Sequence, residues 1–120
     1  MPMKRMSEAQ IWLLDYLKER WGAAKAEHQF YPGRKWRFDA VVLRHLYAFE
    51  IEGGIWTKGA HVRGEHYESD MSKYNTAQAL GWKVFRFTPE QILKGEAKQF
   101  IEQWLPNQEG WRKQTSGRRP

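Results

Sequence analysis

The chain contains no cysteine. That removes disulfide frameworks and thiolate metal centres, and it leaves oxygen and nitrogen atoms as the only strong metal donors. It has no apolar run approaching the roughly 20 residues of a membrane-spanning helix, and its opening MPMKRMSEAQ lacks the apolar core of a signal peptide. A cytoplasmic protein without a membrane partner is therefore expected. Acids are in the minority: 14 Asp and Glu stand against 20 Lys and Arg, for a net charge of +6. Such a balance favours a polyanion as partner, because each phosphate neutralised releases counterions, although solubility alone is the plainer use of surface charge. Repeats are absent too, and 120 residues are enough for one core but not two.

What the chain does have is aromatic mass: seven Trp, six Phe and five Tyr, enough to fill that single core. It also has one stretch that concentrates the chemistry, RFDAVVLRHLYAFEIEGG at residues 37–54. Residues 36–43 and 46–52 are rich in branched and aromatic side chains, as strands are, with Arg44 and His45 between them as a short turn. In an even-numbered hairpin Leu43 faces Leu46, Val41 faces Ala48, and Asp39 faces Glu50. Like charges so placed repel, with Cβ atoms about 5 Å apart, and a divalent cation would remove the conflict. Magnesium takes oxygen ligands and is often held by one or two carboxylates, with water and phosphate completing the shell. A three- or five-residue turn would instead separate the acids, and the turn lacks the usual Asn-Gly signal. The same register sets Arg37 opposite Glu52, where an ordinary cross-strand ion pair is the structural alternative to function.

Asp39, followed some ten residues later by the Glu50-Ile51-Glu52 triplet, resembles the PD-(D/E)XK nuclease superfamily. The longer segments WRFDAVV, AFEIEGGIW and GAHVRGEHYESDMSKYNTAQALGWKVFRFT resemble its branch of very-short-patch-repair-like endonucleases and small phage or prophage nucleases. The resemblance covers about residues 7–92. It implies a restriction-endonuclease-like fold and a magnesium-dependent endonuclease, with manganese as a substitute ion, acting on DNA. Asp39, Glu50 and Glu52 would be its metal ligands. Two departures stand out: the triplet ends in Glu52 where the superfamily usually has lysine, and no proline precedes Asp39. Some members carry the lysine on a helix, and Lys73 is the residue in that place. Glu8 matches a first-helix glutamate beside the metal, and His61 matches a histidine that follows the acidic strand and acts as an acid or phosphate binder.

The remaining residues supply a frame. Ser7 and Gln10 form a capping box ahead of a helix ending at Gly22, with Ala9, Trp12, Leu13, Tyr16, Leu17 and Trp21 as its apolar stripe. In its first turn Glu8 also suits the helix dipole. Residues 25–31 read as a strand and Pro32-Gly33 as a turn, leading into the cations Arg34, Lys35 and Arg37, either a solvated face or phosphate contacts. Residues 53–69 read as an irregular loop whose Trp56, Lys58, His61 and Arg63 suit phosphate contact and base stacking. A helix over 70–80 follows, where Asp70 and Lys73 could simply pair on its surface. Then come a central strand over 82–88, a helix capped by Thr88 and Pro89, and a last helix with Ala97, Phe100, Ile101, Trp104 and Leu105 as its core stripe. The domain spans 1–106 as an α/β sandwich on a mixed, mostly antiparallel sheet of about four strands, and residues 107–120 read as a basic, disordered tail. Cutting both strands of a duplex would favour a homodimer.

Overall fold

The computed structural model describes residues 5–53 and 64–105. Ser7 caps the first helix, α1 (Glu8–Trp21), its hydroxyl accepting from the Gln10 backbone N–H at 3.1 Å. Gly22 ends it with φ 89°, a left-handed conformation that glycine adopts without a Cβ penalty. Only half of the expected capping box forms, because the Gln10 side chain turns inward to Glu27 and Asp39 instead of back to the helix start. Then follow β1 (Lys25–Gln29), β2 (Arg37–Val42), a 3-10 turn (Leu43–His45) and β3 (Tyr47–Ile51). The chain continues with α2 (Gly64–Ala79), β4 (Lys83–Phe87), α3 (Pro89–Leu93) and α4 (Glu96–Trp104). Helix α2 begins six residues before the expected Asp70, taking in residues 64–69 of the stretch read as an irregular loop.

The four strands form one mixed sheet in the order β1-β2-β3-β4, antiparallel except for the parallel β3–β4 pair. The register observed is the one expected as far as it runs: Val41 lies opposite Ala48, but the pairing stops at Val42–Tyr47 and Ala40–Phe49, short of the expected Leu43–Leu46 and Asp39–Glu50 pairs. The turn that sets it is longer than a two-residue turn at Arg44 and His45. Leu43 to Leu46 make a four-residue turn closed by Leu46 N–H to Leu43 C=O at 3.1 Å, with Leu46 at φ 58°. Four residues are still an even number, so the faces of both strands are kept. Strand β4, expected to be central, is an edge of this sheet. The other side of β3 is already taken by its hairpin partner β2, so the crossover through α2 can add β4 only on the outside.

Each face of the sheet is covered. On one, α1, α3 and α4 bury Leu13, Leu17, Ile92 and Ile101 against Ala40, Val42 and Phe49. On the other, Phe38, Val41 and Ala48 pack with Ala77 of α2 and with Trp82. This is an α/β sandwich, and among the described residues no helix is long and apolar enough to cross a membrane. The α4 stripe is only partly core: Ala97, Ile101 and Leu105 are buried, whereas Phe100 leans over Phe85 and Phe87 at the outer strand and Trp104 is 59% exposed. Among the described residues β4 is an edge, and no further strand lies beyond Phe100 for Trp104 to cover.

This phase of α4 predicts unequal costs for two truncations. Ile101→Ala should lower unfolding free energy by about 2 to 5 kcal/mol, and Trp104→Ala by less than about 1 kcal/mol, as measured by chemical denaturation.

Candidate active site

The site forms where β2 begins and β3 and β4 end. In a regular strand residues two apart share a face, yet Phe38 packs on the α2 side and Ala40 on the α1 side. Strand β2 therefore turns over at Asp39. Its neighbour does the same: Ala26 packs with the α1 side, the His28 ring lies against Trp82 on the α2 side, and Glu27 between them has φ 51°. The β2–β3 pairing runs from Val42 opposite Tyr47 to Ala40 opposite Phe49. At the next step the Ile51 N–H donates to Asp39 Oδ2 at 2.7 Å, so a side chain stands where a strand carbonyl would otherwise accept. Beyond that point β3 continues with β4, Glu50 opposite Arg86 and Ile51 opposite Phe87.

Onto this parting of strands α2 brings Lys73, whose Nζ donates to Glu50 Oε2 at 2.5 Å. Lys73 does not pair with Asp70 on the helix surface. Both members of the pair are largely buried, the side chains 13% and 12% exposed, and the ammonium lies 5.1 Å from the centre of the Phe38 ring. Glu52 does not meet Arg37. It accepts from Arg86 Nε, and the Arg86 guanidinium stacks over Tyr74 at 4.6 Å. Arg37 is exposed, opposite Gln29 of β1.

The electrostatics follow from burial. Desolvation pushes the Glu50 carboxyl up to about 7; the hydrogen bond and charge of Lys73 pull against it, while Asp39 and Glu52 push with it. Burial, and then the Glu50 charge, also raise the Tyr74 hydroxyl above its ordinary value. For Arg86 the hydrogen bond to Glu52 raises the pKa. Asp39 thus lies near enough for its charge to act on Glu50, whose carboxylate is held by one ammonium.

Asp39, Glu50 and Lys73 are thus brought together, with Glu52 next to them on Arg86. Among the described residues no three His, Cys, Asp or Glu side chains converge as a metal-ligand group; the candidate ligands are the pair Asp39 and Glu50. Glu8 is exposed in the first turn of α1. From that helix Ser7 and Gln10, not Glu8, line the small cavity, about 230 Å³, that opens beside Asp39. Arg34 and Lys35 are exposed, the Arg34 guanidinium 4.1 Å over the Trp36 ring, and they belong to the β1–β2 connection at this same end of the sheet. Trp56, Lys58, His61 and Arg63 lie outside the described residues. The sequence reading missed Gln10, Glu27, Tyr74 and Arg86. Only Gln10 carried a signal, a polar residue in helical phase with Leu13, Leu14, Leu17 and Trp21. Compared with family models, with curated proteins and with solved structures, the chain matches none of them.

The raised Glu50 sets a pH dependence in metal-free protein. Its folded value lies above the ordinary 4.5, so the folded state holds this proton more tightly than the unfolded chain. The stability it contributes is full below pH 4.5 and is lost as pH rises through about 7. Glu50→Gln should flatten stability across that window, removing a slope on the order of 1 to 3 kcal/mol in total, read by denaturant melts at successive pH values.

Proposed function

We propose that the chain is a metal-dependent nuclease of PD-(D/E)XK type with a restriction-endonuclease-like core, hydrolysing phosphodiester bonds of DNA in phage, prophage or repair processing. The observation that carries this reading is the contact of Lys73 Nζ with Glu50 at 2.5 Å beside Asp39. A lysine from a helix stands where the triplet, ending in Glu52, offers none. Two carboxylates on parting strands suit magnesium, or manganese in its place, which would be held by Asp39 and Glu50 with water and phosphate oxygens. When bound, the ion supplies charge neutralisation at the phosphate and a more acidic water.

The chain's own groups do the rest. Lys73 provides fixed positive charge where negative charge develops on the phosphoryl oxygens. Glu52, held by Arg86, and Glu8, at the start of α1, position water. Arg34, Lys35 and Arg37 contact backbone phosphates of the incoming strand, which fixes register without reading sequence. Trp56, Lys58, His61 and Arg63 belong to the same proposal as substrate contacts. A second reading, a DNA-binding module of this fold with an altered catalytic set, is favoured by the engagement of Glu52 with Arg86. Turnover separates the two.

Magnesium should raise the melting temperature of the wild type, since it binds the folded site and hardly the unfolded chain. Asp39→Asn should abolish both that shift and cleavage while leaving metal-free stability at or above wild type, because a like-charge contact is relieved. Strong destabilisation without metal, with no magnesium effect on the wild type, would return Asp39 to a structural role as acceptor for Ile51.

Lys73→Ala should lower turnover by at least about tenfold, roughly 1.4 kcal/mol of barrier. It should leave magnesium affinity nearly unchanged: Glu50 loses a competing partner, but it also loses the charge that favours its ionised form. Wild-type turnover in that variant would remove Lys73 from the catalytic set.

A further inference from the structure

The cavity beside Asp39 is bounded on the α1 side by Gln10, which is 4% exposed and makes two hydrogen bonds that leave its own helix. Its Nε2 donates to Glu27 Oε2 and to the Asp39 backbone carbonyl, each at 3.0 Å. Both partners are acceptors, so only the NH2 edge of the amide satisfies them. A glutamate here would set a carboxylate against a carboxylate and a carbonyl, and an apolar side chain would leave the Asp39 carbonyl without this donor inside the protein. The two partners also occupy the positions where β1 and β2 turn over: Glu27 at φ 51° and Asp39 between the oppositely facing Phe38 and Ala40. Such a turned backbone persists where its surroundings over-determine it. Gln10 ties the two turned residues to one rigid helix.

We infer that Gln10 is a positioning residue: by holding the Asp39 carbonyl toward α1, it aims the Asp39 carboxylate at the Ile51 N–H and beside Glu50. The aim of Asp39 follows from the hydrogen bonds themselves; the consequence for turnover rests on the nuclease reading. Gln10 touches neither substrate nor ion in this role. It acts through the main chain of Asp39, and its loss therefore misplaces a group without removing it.

The experiment reads position and turnover separately. Position is read by amide hydrogen exchange at Ile51, whose N–H is held by Asp39 Oδ2 at 2.7 Å. In Gln10→Met, similar in length but without the donor, Ile51 exchange should speed by at least about tenfold while amides within α1 and β4 keep their wild-type rates. With saturating magnesium and DNA, kcat should fall by at least about tenfold with KM for DNA within about twofold, because the misplaced group holds the ion and is not itself a DNA contact. The exchanged pair Gln10→Glu with Glu27→Gln serves as a second variant. It restores a donor and an acceptor between positions 10 and 27 but sets a carboxylate against the Asp39 carbonyl, so it should recover neither Ile51 protection nor kcat. Recovery of both would assign the effect to the contact with position 27 and overturn the proposal, as would unchanged Ile51 exchange in Gln10→Met. Faster Ile51 exchange in a protein whose wild type never cleaves DNA would sustain the positioning role and sink the nuclease reading.

Discussion

A buried carboxylate must be neutralised, and the architecture around Glu50, with the Asp39 charge near it, follows from that requirement. The sandwich buries Glu50 to 9% exposure, where a lone charge would be driven to protonate. Lys73 offsets part of that cost, and the Ile51 N–H satisfies one oxygen of Asp39. Neither compensation works on a flat hairpin. Strand β2 has to turn over at Asp39 and part from β3, and α2 has to cross the sheet at the height that brings Lys73 over Phe38.

The aromatic side chains have a part in this beyond filling space. Phe38 and Tyr74 lie 5.1 and 5.5 Å from the Lys73 ammonium, and Arg86 lies 4.6 Å over Tyr74. A cation over an aromatic face is attracted by the ring quadrupole, most strongly where water is excluded. The rings hold two cations beside three acids without adding further charge. Breaking such a buried pair by removing one partner is costly, because it strands the other charge, and the pairing of Lys73 with Glu50 therefore fixes the seating of α2.

Much of this was legible in the residues. The Ser7 cap and Gly22 stop of α1, the Thr88-Pro89 start of α3 and the Val41–Ala48 register were readable because local hydrogen bonding and side-chain period decide them. Lys73 was reachable only through the family pattern, since its local pairing with Asp70 looked equally good. The partners set by tertiary contact were not legible. Glu52 chose Arg86 over Arg37 because the parallel β3–β4 pairing brings Arg86 alongside the acids, while β2 has already left β3. Gln10 was assigned to a capping box because its backbone does cap with Ser7, and its phase with the core stripe, the one local sign that its side chain turns inward, does not name the partners it meets there. The outward faces of Phe100 and Trp104 depend on β4 being an edge, which is a property of strand order and not of the α4 stripe.

The cation site proposed for Asp39 and Glu50 can be tested where β2 and β3 part. Manganese titrated into nitrogen-15-labelled protein tests it most directly, because the bound ion broadens the amide signals nearest to it. Asp39, Glu50 and Ile51 should broaden first, below one equivalent of ion, while signals at the far end of the sheet around Lys25 and Arg44 stay sharp. Weak broadening spread over the whole surface, or centred on the exposed acids of α3 and α4, would contradict it.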